Sequence, residues 1–296
     1  MCGISGFISK RRITLEDLTA MNDTMYHRGP NDSGAEIYDA AGGYAVGFAQ
    51  RRLSIMDLSP LGHQPMHAAD KRVSVVFNGE IYNFQELKKE LSGYPFRSQC
   101  DTEVILAAYE KWGIDCVSHF NGMFAIALYD RDAQEVYLVR DRIGKKPLYY
   151  WEDGENLVFA SELKPILACP GFDRKLNPDI LPVFLYQQYI PEPDTIFEQV
   201  KKLCPGTILR QWAEEKRVLF LLEYQRKLPK RNRGSGHGFF SGKGRAKSNF
   251  TEIREEPDGG GRPAGYFFKR RLRFLPDDSH GTGGKRGSGQ NLFHWL

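Results

Sequence analysis

As far as Leu209, apolar residues recur in two alternating rhythms. Short runs rich in Val, Ile, Tyr and Phe predict strands at Gly3–Ile8, Tyr44–Phe48, Val73–Phe77, Met123–Tyr129, Glu135–Val139 and Leu157–Ala160. Between them, three- and four-residue spacing predicts helices at Leu15–Met25, Phe84–Leu91, Thr102–Trp112, Glu162–Leu167 and Pro178–Tyr186. In the third helix Val104, Ile105, Ala108, Tyr109 and Trp112 share one side. Asn83 precedes the second helix with Glu86 three residues on, the pattern of a capping box. Asp130-Arg131-Asp132 between Tyr129 and Val136 reads as a hairpin, so at least part of the sheet is antiparallel. Strands fall in neighbouring groups with helices between the groups, which favours sheets covered by helices over a doubly wound parallel fold. The expected class is α+β.

Beyond Leu209 the rhythm stops. The whole chain of 296 residues has a net charge of +4, but residues 1–209 carry 22 Lys+Arg against 28 Asp+Glu, a charge of −6. Residues 210–296 carry 19 against 9, a charge of +10, and hold 14 of the 30 glycines. Val218 and Ile253 are the only Val and Ile there, too few for a strand-built core. Two different kinds of sequence therefore meet near 209/210: a folded domain over 2–209 and a basic, Gly-rich tail of doubtful structure over 210–296. No run of eighteen apolar residues occurs, so no transmembrane helix is expected. The start lacks the basic and apolar regions of a secretory signal. Five cysteines, Cys2, Cys100, Cys116, Cys169 and Cys204, form no CxxC pair, which fits a reduced cytoplasmic chain without a zinc site. No Gly-rich phosphate-binding motif follows a predicted strand.

Cys2 is the most informative residue because of its position. With Met1 removed, one residue carries a thiol and an α-amine, whose pKa of roughly 7.7–8.0 leaves a useful neutral fraction near pH 7. Such an amine can act as base for its own thiol; taken alone, a cysteine at position 2 carries no such meaning. Asn78-Gly79 follows the strand Val73–Phe77, and a side-chain amide beside a glycine N–H can offer two donors to one oxyanion. The same dipeptide also makes plain turns, although the residues after it read as a helix start. Asp101 precedes a helix, where it is either an N-cap or a fixed carboxylate for an ammonium group. Arg52 could grip a carboxylate through its guanidinium fork or be a solvated strand charge. Arg51 and Arg52 are adjacent on a strand and point to opposite faces, so at most one enters a pocket. His27–Gly34 is turn chemistry throughout. His63 and His67 are four apart with Pro65 between them, which argues against a helical metal pair, and no metal site is expected.

Together these pieces resemble the class II glutamine amidotransferases, the N-terminal-nucleophile glutaminases, and within them the glutaminase half of bacterial glutamine-dependent asparagine synthetases. The resemblance is carried by Cys2-Gly3-Ile4-Ser5-Gly6, His27–Gly34, Arg52-Leu53-Ser54-Ile55, Asn78–Asn83, Asp101-Thr102-Glu103, Asp141-Arg142-Ile143-Gly144 with Pro147-Leu148-Tyr149, and Ala160-Ser161-Glu162-Leu163-Lys164. It continues to Thr195–Glu198 and Lys202-Leu203. It implies a four-layer αββα fold of two antiparallel sheets between helices. It implies hydrolysis of L-glutamine to L-glutamate and ammonia, with Cys2 as nucleophile and Asn78 and the Gly79 N–H as oxyanion hole. Arg52 and Asp101 match positions that hold the α-carboxylate and α-ammonium of glutamine, and Glu80 matches another glutamine-pocket position. No cofactor is implied for that half-reaction. Three residues depart from the family pattern: Asn31 stands where Asp is usual, Cys100 where a small hydroxyl residue or Gly precedes the Asp, and Cys204 where a proline is usual.

In that family a synthetase domain should follow, using ATP and magnesium to amidate aspartate, with a Ser-Gly-Gly-x-Asp-Ser pyrophosphate loop. No such string follows Leu209. A shift of reading frame soon after Gly206–Leu209 is the leading explanation for the Gly/Arg-rich text. A basic tail that binds nucleic acid or another acidic partner and a divergent small domain are the alternatives. The expected chain is thus a glutaminase without a visible ammonia acceptor, free of membrane, with nucleic acid disfavoured and a homo-oligomer allowed. The alternative is an idle regulatory or nucleic-acid-binding protein acting through its tail.

Overall fold

The computed structural model describes residues 2–54, 59–154, 156–212 and 215–220, the backbone alone for 212 and 215–220. In chain order the elements are β1 (Gly3–Ser9), α1 (Leu15–Asp23), β2 (Asp32–Asp39), β3 (Ala45–Arg52), β4 (Met66–His67), β5 (Val73–Ile81), α2 (Phe84–Glu90), α3 (Thr102–Trp112), β6 (Gly122–Asp130), β7 (Glu135–Arg140), β8 (Tyr149–Glu152), β9 (Asn156–Ala160), α4 (Leu163–Ala168), α5 (Leu181–Gln187), β10 (Val200–Lys202), β11 (Thr207–Trp212) and β12 (Glu215–Phe220). They build two six-stranded sheets, ordered β10-β8-β9-β1-β3-β2 and β12-β11-β7-β6-β5-β4. The strand pairings within both are antiparallel.

Period-two side-chain direction explains the layering, because successive residues of a strand face opposite sides. Phe124, Ile126 and Leu128 of β6 pack toward α3, against Val104, Ile105 and Ala108. Ala125, Ala127 and Tyr129 of the same strand face the other sheet, meeting Ile4, Ile8, Val46, Phe48 and Phe159. On the far side, Phe7, Ala49, Val158 and Ala160 pack against Leu18 and Met21 of α1 and Ile166 of α4. Both faces of the central strands are buried, which is why their sequences read as near-continuous apolar runs. The expected four-layer αββα architecture is the one found.

Several expectations need correction in detail. Asn83 makes no capping bond to α2. Its amide donates to the His119 carbonyl at 3.0 Å and its oxygen accepts from Asn121 N–H at 2.9 Å, so it ties a loop instead. The stretch His27–Gly34 is not turn throughout: Tyr26–Arg28 is a 3-10 turn, and β2 begins at Asp32. The helix expected from Pro178 opens with a 3-10 turn, Pro178–Ile180, and becomes α-helical at Leu181. Strand β11 runs through Leu209 and pairs with β7 on one side and β12 on the other. The tail features from residue 221 onward lie outside the described residues.

One buried carboxylate fixes the loop after β7. Asp141 is fully buried, and its side chain accepts from the N–H groups of Phe124, Ile143, Lys145 and Lys146 at 2.9–3.3 Å. Removing an acceptor of four buried or half-buried donors leaves them unsatisfied, at about 1–3 kcal/mol for a buried polar group. Asp141→Ala should therefore lower unfolding free energy by about 3 kcal/mol or more, read by urea denaturation; a loss below about 1 kcal/mol contradicts this account.

Candidate functional site

The six residues singled out by sequence lie at the start of β1, the ends of β3 and β5, and the start of α3. Cys2 immediately precedes β1, and Gly3 lies opposite Arg51 in the β1–β3 ladder. The Cys2 thiol rests on the backbone just past β3: Leu53 N–H donates to Sγ at 3.3 Å, and Sγ lies 3.6 Å from the Leu53 carbonyl oxygen. The Cys2 carbonyl accepts from Arg28 Nε at 2.8 Å. Arg28 in turn donates to Glu162 at 3.0 Å, and His27 Nε2 lies 3.0 Å from the same oxygen. Burial would raise the Glu162 carboxyl pKa, but bonds from Arg28 and His27 outweigh it and hold the group below the usual carboxylate range.

Asn78 is buried and reaches across the sheets. Its Nδ2 lies 3.4 Å from Ser161 Oγ, the same oxygen that accepts from Ile4 N–H at 3.0 Å. Ser161 N–H donates back to the Ile4 carbonyl at 2.8 Å. Ser161 and Glu162 therefore hold the strand that carries Cys2, although the sequence, which displays them in a motif, gives neither a role.

Gly79 owes its exposure to strand parity. It faces Phe124 on β6, and the Phe124 backbone is bonded on the other side, its O accepting from Asp141 N–H at 2.8 Å and its N–H reaching Asp141 Oδ2. In an antiparallel pair this makes Gly79–Phe124 a non-hydrogen-bonded rung, so the Gly79 N–H turns away from β6. It lies on the β4 side, but β4 pairs only as far as Val75. Side chains serve the neighbouring N–H groups of this open edge: Gln64 accepts from Phe77 at 2.7 Å and Asp101 from Ile81 at 2.9 Å. A side chain at 79 is impossible, because a Cβ would come within 2.3 Å of the Met123 carbonyl oxygen. Gly79 thus turns a backbone N–H to an unclosed sheet edge, while the adjacent Asn78 amide is buried toward Ser161 of the other sheet.

Asp101 occupies the N-cap position of α3 but its side chain makes no capping bond; the buried carboxylate accepts from Ile81 N–H at the β5 edge instead. Burial, with the neighbouring Glu80 charge adding to it, raises its pKa from the usual range to about 6 despite the Ile81 N–H bond. Arg52 is buried, with Nη1 donating to the Ser59 carbonyl at 3.2 Å, and the guanidinium lies against Gly62, where a Cβ would sit 2.0 Å from Nη2. Arg51 points the other way, to Asp23 and the Tyr26 ring. Of the two adjacent arginines, one enters the site, as alternation requires. His63 and His67 take separate partners, Asp32 at 2.8 Å and Glu36 at 3.1 Å.

A thiol, an amide and a backbone N–H on adjacent residues, a buried guanidinium and a buried carboxylate are groups that suit acyl transfer from an amide. A model of the glutamine amidotransferase domain matches residues 1–223. The chain belongs to this family of glutamine amidotransferase domains. Among relatives, a putative glutamine-hydrolysing asparagine synthetase 2 of Methanocaldococcus jannaschii is 39% identical over 220 residues, 69% of this chain and 42% of its own length. Asparagine synthetase 1 of Bacillus subtilis is 37% identical over 214 residues, 70% of this chain and 33% of its own length. This amidotransferase chain therefore spans less than half the length of the curated relatives it matches. Among solved structures, the glutamine phosphoribosylpyrophosphate amidotransferase of Bacillus subtilis superposes with a TM-score of 0.54 at 17% identity, covering 74% of this chain and 49% of its own. That likeness carries the fold alone, two antiparallel sheets between helices.

The raised Asp101 pKa has a stability consequence. Below the usual carboxyl range the group is neutral folded or unfolded. Between that range and about 6 only the unfolded chain ionises, so stability falls as pH rises, and above about 6 the cost is complete. Asp101→Asn keeps an acceptor for Ile81 and loses the charge. Its stability relative to the parent chain should rise between pH 4 and pH 7 by on the order of 2–3 kcal/mol, read by urea unfolding; an unchanged gap would show that burial does not penalise this carboxylate.

Proposed function

We propose that the chain hydrolyses L-glutamine to L-glutamate and ammonia at Cys2. The observation that supports it most is the Gly79 N–H turned to the open edge of β5, on the residue next to a buried Asn78 whose amide reaches Ser161, the residue that also bonds the strand carrying the thiol. With Met1 removed, the α-amine of Cys2 takes the thiol proton, and the sulfur attacks the side-chain amide carbon. The oxyanion forms against Asn78 Nδ2 and the Gly79 N–H. The α-ammonium returns its proton to the departing nitrogen, the C–N bond breaks, and ammonia leaves a thioester. Water, deprotonated by the same amine, then cleaves the thioester to release glutamate and the thiol. Arg52 pairs with the substrate carboxylate, Asp101 with its ammonium, and Glu80 lines the amide end.

The half-reaction needs no cofactor. Delivery of ammonia to an acceptor carboxylate such as that of aspartate requires ATP, magnesium and a pyrophosphate loop. The sequence contains no Ser-Gly-Gly-x-Asp-Ser string, so we assign only the glutamine half to these residues. Among the described residues no helix is long and apolar enough to cross a membrane, and we place the reaction in the cytoplasm, where a free thiol stays reduced.

Glutamate release from glutamine by the purified chain tests the proposal. Asn78→Ala should lower kcat by about 10²–10³, and Cys2→Ala should abolish turnover. Parent-like turnover by Cys2→Ala overturns the assignment. In the parent chain, glutamine KM should rise as pH falls through about 6, because Asp101 then loses the charge that meets the ammonium.

A further inference from the structure

Asn78 is 1% exposed, and the two ends of its amide differ in their surroundings. The nitrogen end, Nδ2, lies 3.4 Å from Ser161 Oγ. The oxygen end, Oδ1, is buried with no hydrogen-bond partner among the described residues. A buried acceptor left without a donor is costly and calls for an explanation.

Ser161 supplies one. Its side chain is fully buried, and two bonds to Ile4 fix where its oxygen sits: Ser161 N–H donates to the Ile4 carbonyl at 2.8 Å, and Oγ accepts from Ile4 N–H at 3.0 Å. Both contacts of that oxygen, with Ile4 N–H and with Asn78 Nδ2, use it as an acceptor. A hydroxyl also carries one proton to donate, which neither contact uses. Turning the Asn78 amide end for end serves both groups. Ser161 O–H then donates to Oδ1, and Nδ2 takes the place of the orphan oxygen. The terminal torsion of an asparagine is broad and roughly two-fold, so the exchange needs no change of backbone or volume. The contact given up is long for an N–H···O bond. The free end of the amide is the end left for a substrate oxygen. An amide oxygen there repels a developing oxyanion, whereas an amide N–H stabilises it.

We propose that Ser161 is a positioning residue for the oxyanion donor: its hydroxyl, anchored on Ile4, holds the Asn78 amide by Oδ1 and so turns Nδ2 to the reacting oxygen. The orientation seen in the structure, with Nδ2 on Ser161, is then the resting one, and rotation of one side chain completes the oxyanion hole. The inference rests on the glutaminase reading and deepens it by naming what orients the amide.

The test is a double-mutant cycle of Ser161→Ala and Asn78→Ala in the full chain. Glutamine kinetics, Cys2 alkylation by iodoacetamide and NMR spectra of isotope-labelled asparagine side chains are the readouts. Ser161→Ala should lower kcat by about 10-fold to 10²-fold and leave KM within about twofold, because the loss falls on the transition state while Arg52 and Asp101 still hold the substrate. The double variant should be no slower than Asn78→Ala, since Ser161 acts through that amide. Alkylation should match the parent, because the ladder of Ile4 to β3 and the Ser161 N–H still place the strand of Cys2. The Asn78 amide signal, assigned by its loss in Asn78→Ala, should shift in Ser161→Ala. If that variant does not fold, Ser161→Cys takes its place with the same expectations, since its S–H fills the site but donates weakly. Losses that add in the double variant, a raised KM with unchanged kcat, or alkylation that slows along with kcat overturns the proposal. Absent glutamine hydrolysis in the parent chain defeats the glutaminase reading alone, because the amide signal still decides whether Ser161 holds Asn78, and an unshifted signal shows that it does not.

Discussion

The site depends on a sheet edge that is left open. Backbone N–H groups in a folded core must find acceptors, and β5 runs past the short β4 with Phe77, Gly79 and Ile81 turned to the uncovered side. Gln64 and Asp101 supply oxygens for the first and third. The middle one lies between two satisfied neighbours, on a residue that admits no side chain. An acceptor that arrives there finds a donor already oriented, with the Asn78 amide beside it. Such a donor needs no reorganisation as negative charge develops, the condition under which electrostatic stabilisation of a transition state is strongest.

Holding Cys2, the proposed nucleophile, is the task of the other sheet. Ser161 Oγ accepts from Ile4 N–H and stands near Asn78 Nδ2, so one hydroxyl spans from β1 to β5. Gln50 adds a second tie, its amide donating to the Phe77 carbonyl at 2.9 Å. Because Cys2 lies two residues upstream of Ile4 on an extended strand, fixing Ile4 limits where the thiol can be. Arg28 on the Cys2 carbonyl removes most of the remaining freedom. A residue near a chain terminus would ordinarily fray; here the ladder to β3 and two side-chain contacts hold it.

Much of this was legible in the sequence, and the reasons differ by residue. Strand alternation alone separates Arg52 from Arg51 and sends one inward. The β5 pattern Val-Ser-Val-Val-Phe followed by Asn-Gly gives the strand, but not that it continues through Gly79 to Ile81, because the dipeptide reads equally as a turn. Asp101 and Asn83 both stand where caps are common, yet neither caps its helix; each is claimed by a distant backbone group that local spacing does not reveal. β2, β4, β8 and β10–β12 carry no clear strand signal because they are short or of mixed polarity and lack the apolar runs of the central strands. Ser161 shows no local signal, since its contacts with Ile4 and Asn78 arise from segments that meet only after folding.

The balance between fold and chemistry is clearest at Asp101. A carboxylate buried at the β5 edge beside Glu80 is costly to ionise, and the Ile81 N–H recovers only part of that cost. A core built for stability alone would place a neutral acceptor there, which could serve Ile81 equally well. Under the proposed glutaminase reading, the charge gains its purpose when an ammonium group arrives to pair with it. A buried, under-compensated carboxylate next to an unclaimed backbone donor is therefore more than two separate irregularities. It is the form the proposed glutaminase reading asks of a pocket for a zwitterion with an amide at its other end.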